Sequence, residues 1–206
     1  NIAIGYNALT ANDGGSYNVA VGHEALSTTA SDYNTAIGSG ALKLATGNKN
    51  TAVGKDAGND ITTGTHNTCI GYKADVSSAT VNGEIVLGDS NAGTLRCNTQ
   101  TISSLSDARD KVDVEPSPLG VDFLNTLNPV KFKWDTREGN SKDGTHEIGF
   151  IAQELQAVQA SSNTEYLKMV IDENPDRLEA SYAQLVPILV QAIKELSTQV
   201  KQLQTT

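Results

Sequence analysis

Aromatic side chains make up only 5% of this chain of 206 residues, and hydrophobic ones only 38%. A chain of that length can form one large or two small domains, and so little apolar surface is thin for two self-sufficient cores. Oligomerisation is the natural remedy. No clustered basic face is present: the lysines and arginines are scattered among more numerous acids, for a formal net charge of −9. The balance is −3 over residues 1–98 (5 basic, 8 acidic) and −6 over residues 99–206 (10 basic, 16 acidic). A protein that reads phosphates needs the opposite, so nucleic acid is excluded as a partner. The two cysteines, Cys69 and Cys97, lack CxxC spacing and histidine-rich surroundings, which argues against zinc and leaves them as buried small side chains. His23 and His66 each stand alone among Gly, Asn and Thr and read as surface loop residues. No metal and no cofactor is expected. No apolar run approaches the ~18 residues of a membrane span, and no charged-then-apolar leader opens the chain. The chain therefore reads as soluble, and Asn1 as a cut from something longer.

What is present divides at Ser106-Asp107-Ala108-Arg109-Asp110-Lys111. Before it lie 14 of the 18 glycines and none of the 5 prolines; after it lie every proline, the only Trp and the only long helical patterns. The early half repeats. Asn1-Ile-Ala-Ile-Gly5 recurs at Asn18–Gly22, Asn34–Gly38, Asn50–Gly54 and Asn67–Gly71, spaced 17, 16, 16 and 17 residues, with a degenerate sixth copy at Glu84–Gly88. An Ala follows three residues after each of the first five glycines (Ala8, Ala25, Ala41, Ala57, Ala74), so the register extends beyond the five-residue core. Each copy is too short for a helix pair. It carries a brief β-branched alternation closed by a Gly able to turn at positive φ, as one coil of a parallel β-solenoid would. Stacking is expected to place Ile4, Val21, Ile37, Val53, Ile70 and Leu87 in one inner row, with Asn at a corner bonding to the coils above and below. Six coils spaced about 4.8 Å apart give a rod of roughly 25–30 Å.

This repeat resembles the head repeats of trimeric autotransporter adhesins, of the form N-[ST]-[VA]-A-[IV]-G, which build a left-handed β-roll from three chains. The resemblance covers about 90 residues, from Asn1 to Gly88. It departs in its longer period and in showing no membrane anchor at the chain's end. It implies a trimeric roll; a monomeric Gly/Asn-rich spacer is the alternative.

In the later half, Ser117-Pro118 precedes apolar residues at 121, 124 and 127, a short amphipathic helix with Pro near its first turn, ended by Asn128-Pro129. Val130–Trp134 alternates apolar and charged residues and reads as a strand with one buried face. Gly139 and Gly144 flank a polar turn. Glu147–Ala152 reads as the partner strand, and Gln153–Val158 opens another helix. Tyr182, Val186, Leu189, Ile193, Leu196, Val200 and Leu203 are separated by 4, 3, 4, 3, 4 and 3 residues, the seam of a coiled coil. β-Branched residues alternating with Leu favour two strands; a shared axis with the rod favours three. Pro187 falls near the start of this helix, where it costs least. At the divide, Ser106 with Lys111 five residues on suits a nucleophile and its base, or a cap and a solvated charge.

The run Ser106–Lys111, then Leu127–Trp134, then Glu147–Glu154, then the Tyr182–Leu203 stripe is similar to the C-terminal intramolecular chaperone of phage tail fibres and endosialidase tailspikes. The hexapeptide matches that family's S-D-x-R-x-K opening. The resemblance implies a domain that trimerises, guides folding of the fibre ahead of it and cuts itself off just before the motif's serine. It makes Ser106 the nucleophile, Lys111 the base and Leu105–Ser106 the scissile bond, with Asp107 and Arg109 positioning the hairpin. The products would arise by an N-to-O acyl shift or by hydrolysis of the ester so formed. His146 matches no role and reads as a surface turn.

The expected architecture is thus mixed. It comprises a β-solenoid over residues 1–98, a linker over 99–105 and an α+β chaperone over 106–206 ending in a long coiled-coil helix, in a homotrimer. The expected function is the distal part of a phage tail fibre, carried in the virion after assembly in the host cytoplasm and joined to an upstream shaft. Its outside partner would be a glycan or protein receptor on the host, and its only enzymatic act self-cleavage by serine and lysine. The alternative is a trimeric adhesin or structural fibre that cuts nothing.

Overall fold

A computed structural model describes residues 1–28, 31–92, 94–96, 104–135, 144, 146–176 and 178–205. Cys97, most of the 99–105 linker and the turn around Gly139 lie outside the described residues. The chain forms two compact units, of which the first holds residues 1–95 and the second begins at Arg96.

In the first unit, β1 (Ile2–Ile4), β2 (Val19–Val21), β3 (Thr35–Ile37), β4 (Thr51–Val53), β5 (Thr68–Ile70) and β6 (Ile85–Leu87) form one parallel sheet in chain order. The register aligns Ala3, Ala20, Ala36, Ala52, Cys69 and Val86, so each coil lies one strand above the last as a β-solenoid. Parallel strands demand a crossover between them, and here the turns after each Gly supply it. Those glycines sit at φ values of 126° to 140° in Gly5, Gly22, Gly38, Gly54 and Gly71. A Cβ there would run into the backbone of the next coil's glycine, so no other residue fits the row.

The expected corner ladder of asparagines is present and is the most regular feature of the unit. The backbone N–H of Asn18, Asn34, Asn50 and Asn67 donates to the side-chain oxygen of the Asn one coil earlier, at 2.8, 2.8, 2.9 and 3.0 Å. The Asn34, Asn50 and Asn67 amides in turn donate to the carbonyls of Gly47, Gly64 and Val81. All four are buried, so each unmade bond would cost the desolvation of an amide, about 1–3 kcal/mol. Glu84 ends the ladder: its N–H donates to Asn67, but its carboxylate accepts from Ser77 instead of passing a donor onward.

The expected inner row is on the other face. Ala20, Ala36, Ala52 and Cys69 are fully buried, whereas Ile4, Ile37, Val53, Ile70 and Leu87 are 36–61% exposed, with Val21 half-buried. In a strand, adjacent residues point to opposite faces, so a core that takes the middle residue must turn out the third. The interior is too narrow for a β-branched row there, because Leu26, Leu42 and Ile61 from the return segments already fill it. Burial pushes the Cys69 thiol up to about 12, which keeps it protonated.

The second unit is α+β. After α1 (Val121–Leu124) comes the antiparallel pair β7 (Val130–Lys133) and β8 (His146–Gly149), with Phe132 opposite Glu147. The second strand stops at Gly149, short of the expected Ala152, because α2 (Ala152–Ser162) has begun by then. Asn163 closes α2 in the left-handed conformation. A short pair, β9 (Val170–Ile171) with β10 (Glu179–Ala180), precedes α3 (Leu185–Thr205), which carries Pro187 in its first turn. Phe123, Leu155, Met169, Leu185 and Ile188 form the core. No described helix is long and apolar enough to cross a membrane.

One half-buried carboxylate makes the solenoid sensitive to pH. Asp75 accepts hydrogen bonds from Asp60 N and Val76 N, yet desolvation, with Asp60 nearby, raises its pKa to about 6 from 3.8. An acid raised in the folded state gives stability that is complete below the unfolded pKa and lost as pH rises through about 6. The full chain is expected to melt at a higher temperature at pH 5 than at pH 8, with the difference reduced in Asp75→Asn, as read by circular dichroism at 218 nm, roughly the sheet band.

Candidate functional site

The dividing hexapeptide folds as one 3-10 turn, Ala108–Asp110, with extended residues at either end. The local chemistry dictates that turn. Asp107 is its N-cap and accepts from Arg109 N at 2.9 Å, and the same carboxylate takes Arg109 Nε at 3.0 Å and Nη2 at 2.6 Å. A two-pronged pair two residues apart closes the backbone between them. The guanidinium holds the Asp107 carboxyl below the usual carboxylate range, and the carboxylate raises Arg109 in return. Arg109 is largely exposed, so the pair acts as a local brace and contributes little to global stability.

The braced turn brings Ser106 and Lys111 together. Lys111 Nζ donates to Ser106 Oγ at 2.7 Å, within the reach required of a nucleophile and its base. Both residues are exposed, as is Leu105 on the other side of the bond expected to be cut, at 88%. A lysine serves as a base only after losing its proton, and free lysine titrates near ~10.4. Burial favours the neutral form, whereas among the described residues Ser106, Arg109 and Lys111 are all exposed.

The stripe on α3 is also uncovered. Leu185, Ile188 and Ala192 are buried against the unit's own core, whereas Val186, Leu189, Ile193, Leu196, Val200 and Leu203 are 46–76% exposed. The helix thus has two apolar faces, one satisfied within the chain and one not. Tyr182 precedes the helix. Its ring packs edge-on against Phe150 at 5.4 Å, and its hydroxyl accepts from Phe150 N at 3.4 Å.

One anchoring residue went unread in the sequence. Glu195 lies on the buried side of α3, and its carboxylate accepts from Val121 N at 2.9 Å and from Gln191 Nε2 at 2.9 Å, tying the start of α1 to α3. Gly120 leaves room for it, since a Cβ at that position would strike the carboxylate. The signal was the second stripe, Leu185, Ile188, Ala192 and Glu195, spaced 3, 4 and 3.

His23 stacks on Tyr6 at 5.4 Å, His66 Nδ1 lies 3.2 Å from Thr65 Oγ1, and His146 sits in β8. No group of three or more His, Cys, Asp or Glu among the described residues is disposed to hold a metal ion.

Residues 106–163 match the family model described as chaperone of endosialidase. The match opens on Ser106 and takes in the braced turn, the β7–β8 pair and α2, and it supports an intramolecular chaperone role for this part of the chain. Neither the comparison with curated proteins nor that with solved structures returned a match.

The Val121 N–H holds the Glu195 carboxyl below the usual range. Its contribution is therefore present above the ordinary carboxylate pKa and lost as pH falls through the lowered one. Glu195→Ala is expected to lower the melting temperature at pH 7 and to flatten the acid limb of the stability profile, with Glu195→Gln between the two, as measured by calorimetry.

Proposed function

We propose that residues 106–206 assemble three copies of the chain, set the register in which the solenoid folds, and then sever the bond between Leu105 and Ser106. The observation that carries this reading is the 2.7 Å contact of Lys111 with Ser106, in a turn braced by Asp107 and Arg109 at the first residues of the family match. The uncovered stripe of α3 supports the assembly. Three such helices bury it in one seam and hold the repeats at high local concentration.

The need for a chaperone follows from the repeat. A slip of one coil keeps nearly every Asn, Ala and Gly contact, so three chains cannot find a common height from the repeat alone. A helical seam that associates first fixes it. Assembly also supplies what the exposed dyad lacks, a buried environment in which the lysine gives up its proton. Ser106 Oγ then attacks the Leu105 carbonyl carbon while Lys111 takes the hydroxyl proton. As the C–N bond breaks, that proton passes to the Ser106 nitrogen and an ester remains. Water hydrolyses the ester, leaving a carboxylate on Leu105 and a free amino group on Ser106. Cleavage thus reports correct assembly.

In this reading the chain is the distal part of a phage tail fibre, joined to an upstream shaft and carried in the virion. A glycan or protein on the host surface is its outside partner. A second reading, favoured by the exposure of the dyad, is a trimeric adhesin or structural fibre whose C-terminal unit assembles the chains and cuts nothing.

A denaturing gel of freshly expressed protein separates the readings. Two fragments meeting at Leu105–Ser106 are expected, with Ser106→Ala and Lys111→Ala each leaving the full-length chain. Lys111→Arg is expected to be equally inactive, because a guanidinium does not deprotonate. Cleavage of Lys111→Ala at the wild-type rate overturns the dyad. The assembly is tested separately: Ile193→Asp puts a charge in a desolvated seam at a cost of several kcal/mol per assembly. Light scattering is expected to show monomer, whereas an unchanged trimer shows that the stripe is not the seam.

A further inference from the structure

The position just before each corner residue of the solenoid is left-handed. Tyr17, Tyr33, Lys49 and His66 stand there with φ values of 62°, 62°, 58° and 61°, and Gly83 with 77°. Glycine adopts that conformation freely, whereas a bulky L-residue does so against its preference. The fold gains little in return. All four side chains are exposed, Tyr17 at 69% and Tyr33 at 54%. Residues held in a costly conformation without adding to the core point to a use outside the fold.

Stacking of the coils, about 4.8 Å apart, lines these residues up in a column. The Tyr17 and Tyr33 rings lie 4.9 Å apart and 5° from parallel, and Lys49 and His66 hold the same place in the next two coils. One residue earlier in each coil runs a second column, of Ser16, Asp32, Asn48, Thr65 and Asn82, every member a hydrogen-bonding side chain. Asp32 uses one carboxylate oxygen on Ser16 N at 2.8 Å, and Asn82 uses its amide oxygen on Thr65 N at 2.8 Å and Thr65 Oγ1 at 2.7 Å. That leaves the second Asp32 oxygen and the Asn82 amide nitrogen to a ligand.

We infer that the paired columns bind a neutral glycan, with sugar rings against Tyr17 and Tyr33 and sugar hydroxyls on Asp32, Asn48 and Lys49. A sugar ring has an apolar C–H face and a rim of hydroxyls, and tyrosine beside short polar side chains matches both. A peptide suits the columns poorly, because strand addition needs free main-chain groups. Here the N–H groups of Tyr33, Lys49, His66 and Gly83 all donate to carbonyls of the preceding coil, at 3.0 to 3.1 Å. A polyanion is disfavoured by charge: the columns hold one carboxylate, Asp32, and one lysine, Lys49, which sum to zero with His66 neutral. The inference rests on the proposed reading for the existence of an outside partner, and of the two kinds named there it selects the glycan.

The test is binding of the labelled full chain to an array of neutral and acidic oligosaccharides. Gly83 suggests the variant, since Tyr17→Gly with Tyr33→Gly removes both rings while giving the backbone the residue that suits it. Tyr72→Ser, at the other end of its strand and also 54% exposed, is the control. The wild type and the control are expected to bind neutral oligosaccharides, and the double variant to bind them at least about tenfold more weakly with its melting and sedimentation unchanged. Equal binding by the double variant, binding confined to acidic sugars, or no binding to any neutral one overturns the inference. So does a double variant that changes oligomeric state, because the rings are then contacts between chains. Absence of glycan binding in a chain that assembles and is cut at Leu105–Ser106 overturns the inference alone. Ring-dependent binding by a chain that is never cut upholds it and overturns the self-cleaving reading.

Discussion

Everything in the first unit depends on one hydrogen bond repeated from coil to coil, the backbone N–H of each corner asparagine donating to the side chain of the asparagine before it. Short three-residue strands contribute few ladder bonds of their own, and a parallel sheet has no hairpin to hold its register. The asparagines supply that register from inside the roll, where water cannot compete. At Glu84 the ladder ends: its N–H still donates to Asn67, but its carboxylate accepts from Ser77, and β6 is the last strand of the sheet.

A structure built by repetition solves the problem of a small core at the expense of specificity. Each coil buries little more than alanine and a leucine or isoleucine, so stability accumulates only by stacking neighbours. Every neighbour looks alike, and register between chains is then poorly specified. The second unit is irregular throughout, with a non-repeating core and two faces of one helix serving different ends. On the proposed reading that irregularity is its contribution, since it can associate in only one way.

The hexapeptide shows how local chemistry alone can bring two side chains together. The Asp107–Arg109 brace needs no tertiary contact, and it suffices to set Lys111 against Ser106. On the proposed reading, activation waits on assembly, so the geometry is local to six residues whereas the dielectric around them comes from the other chains.

The repeat, its parallel stacking, the corner asparagines, the glycine row and the uninterrupted stripe on the last helix were legible in the sequence, because each follows from a period or from a residue with few conformations open to it. So was the pairing of Ser106 with Lys111, which a turn of five residues decides locally. Which face of the strand turns inward was not. Alternation says only that Ala and Ile part company; the width of the interior chose Ala, and that width is set by leucines on the return segments. Nor was the role of Glu195, which depends on where α1 begins relative to α3, 74 residues away in the chain. Period and local turn chemistry are properties of neighbouring residues, while the inside of a fold is defined only once distant segments have met.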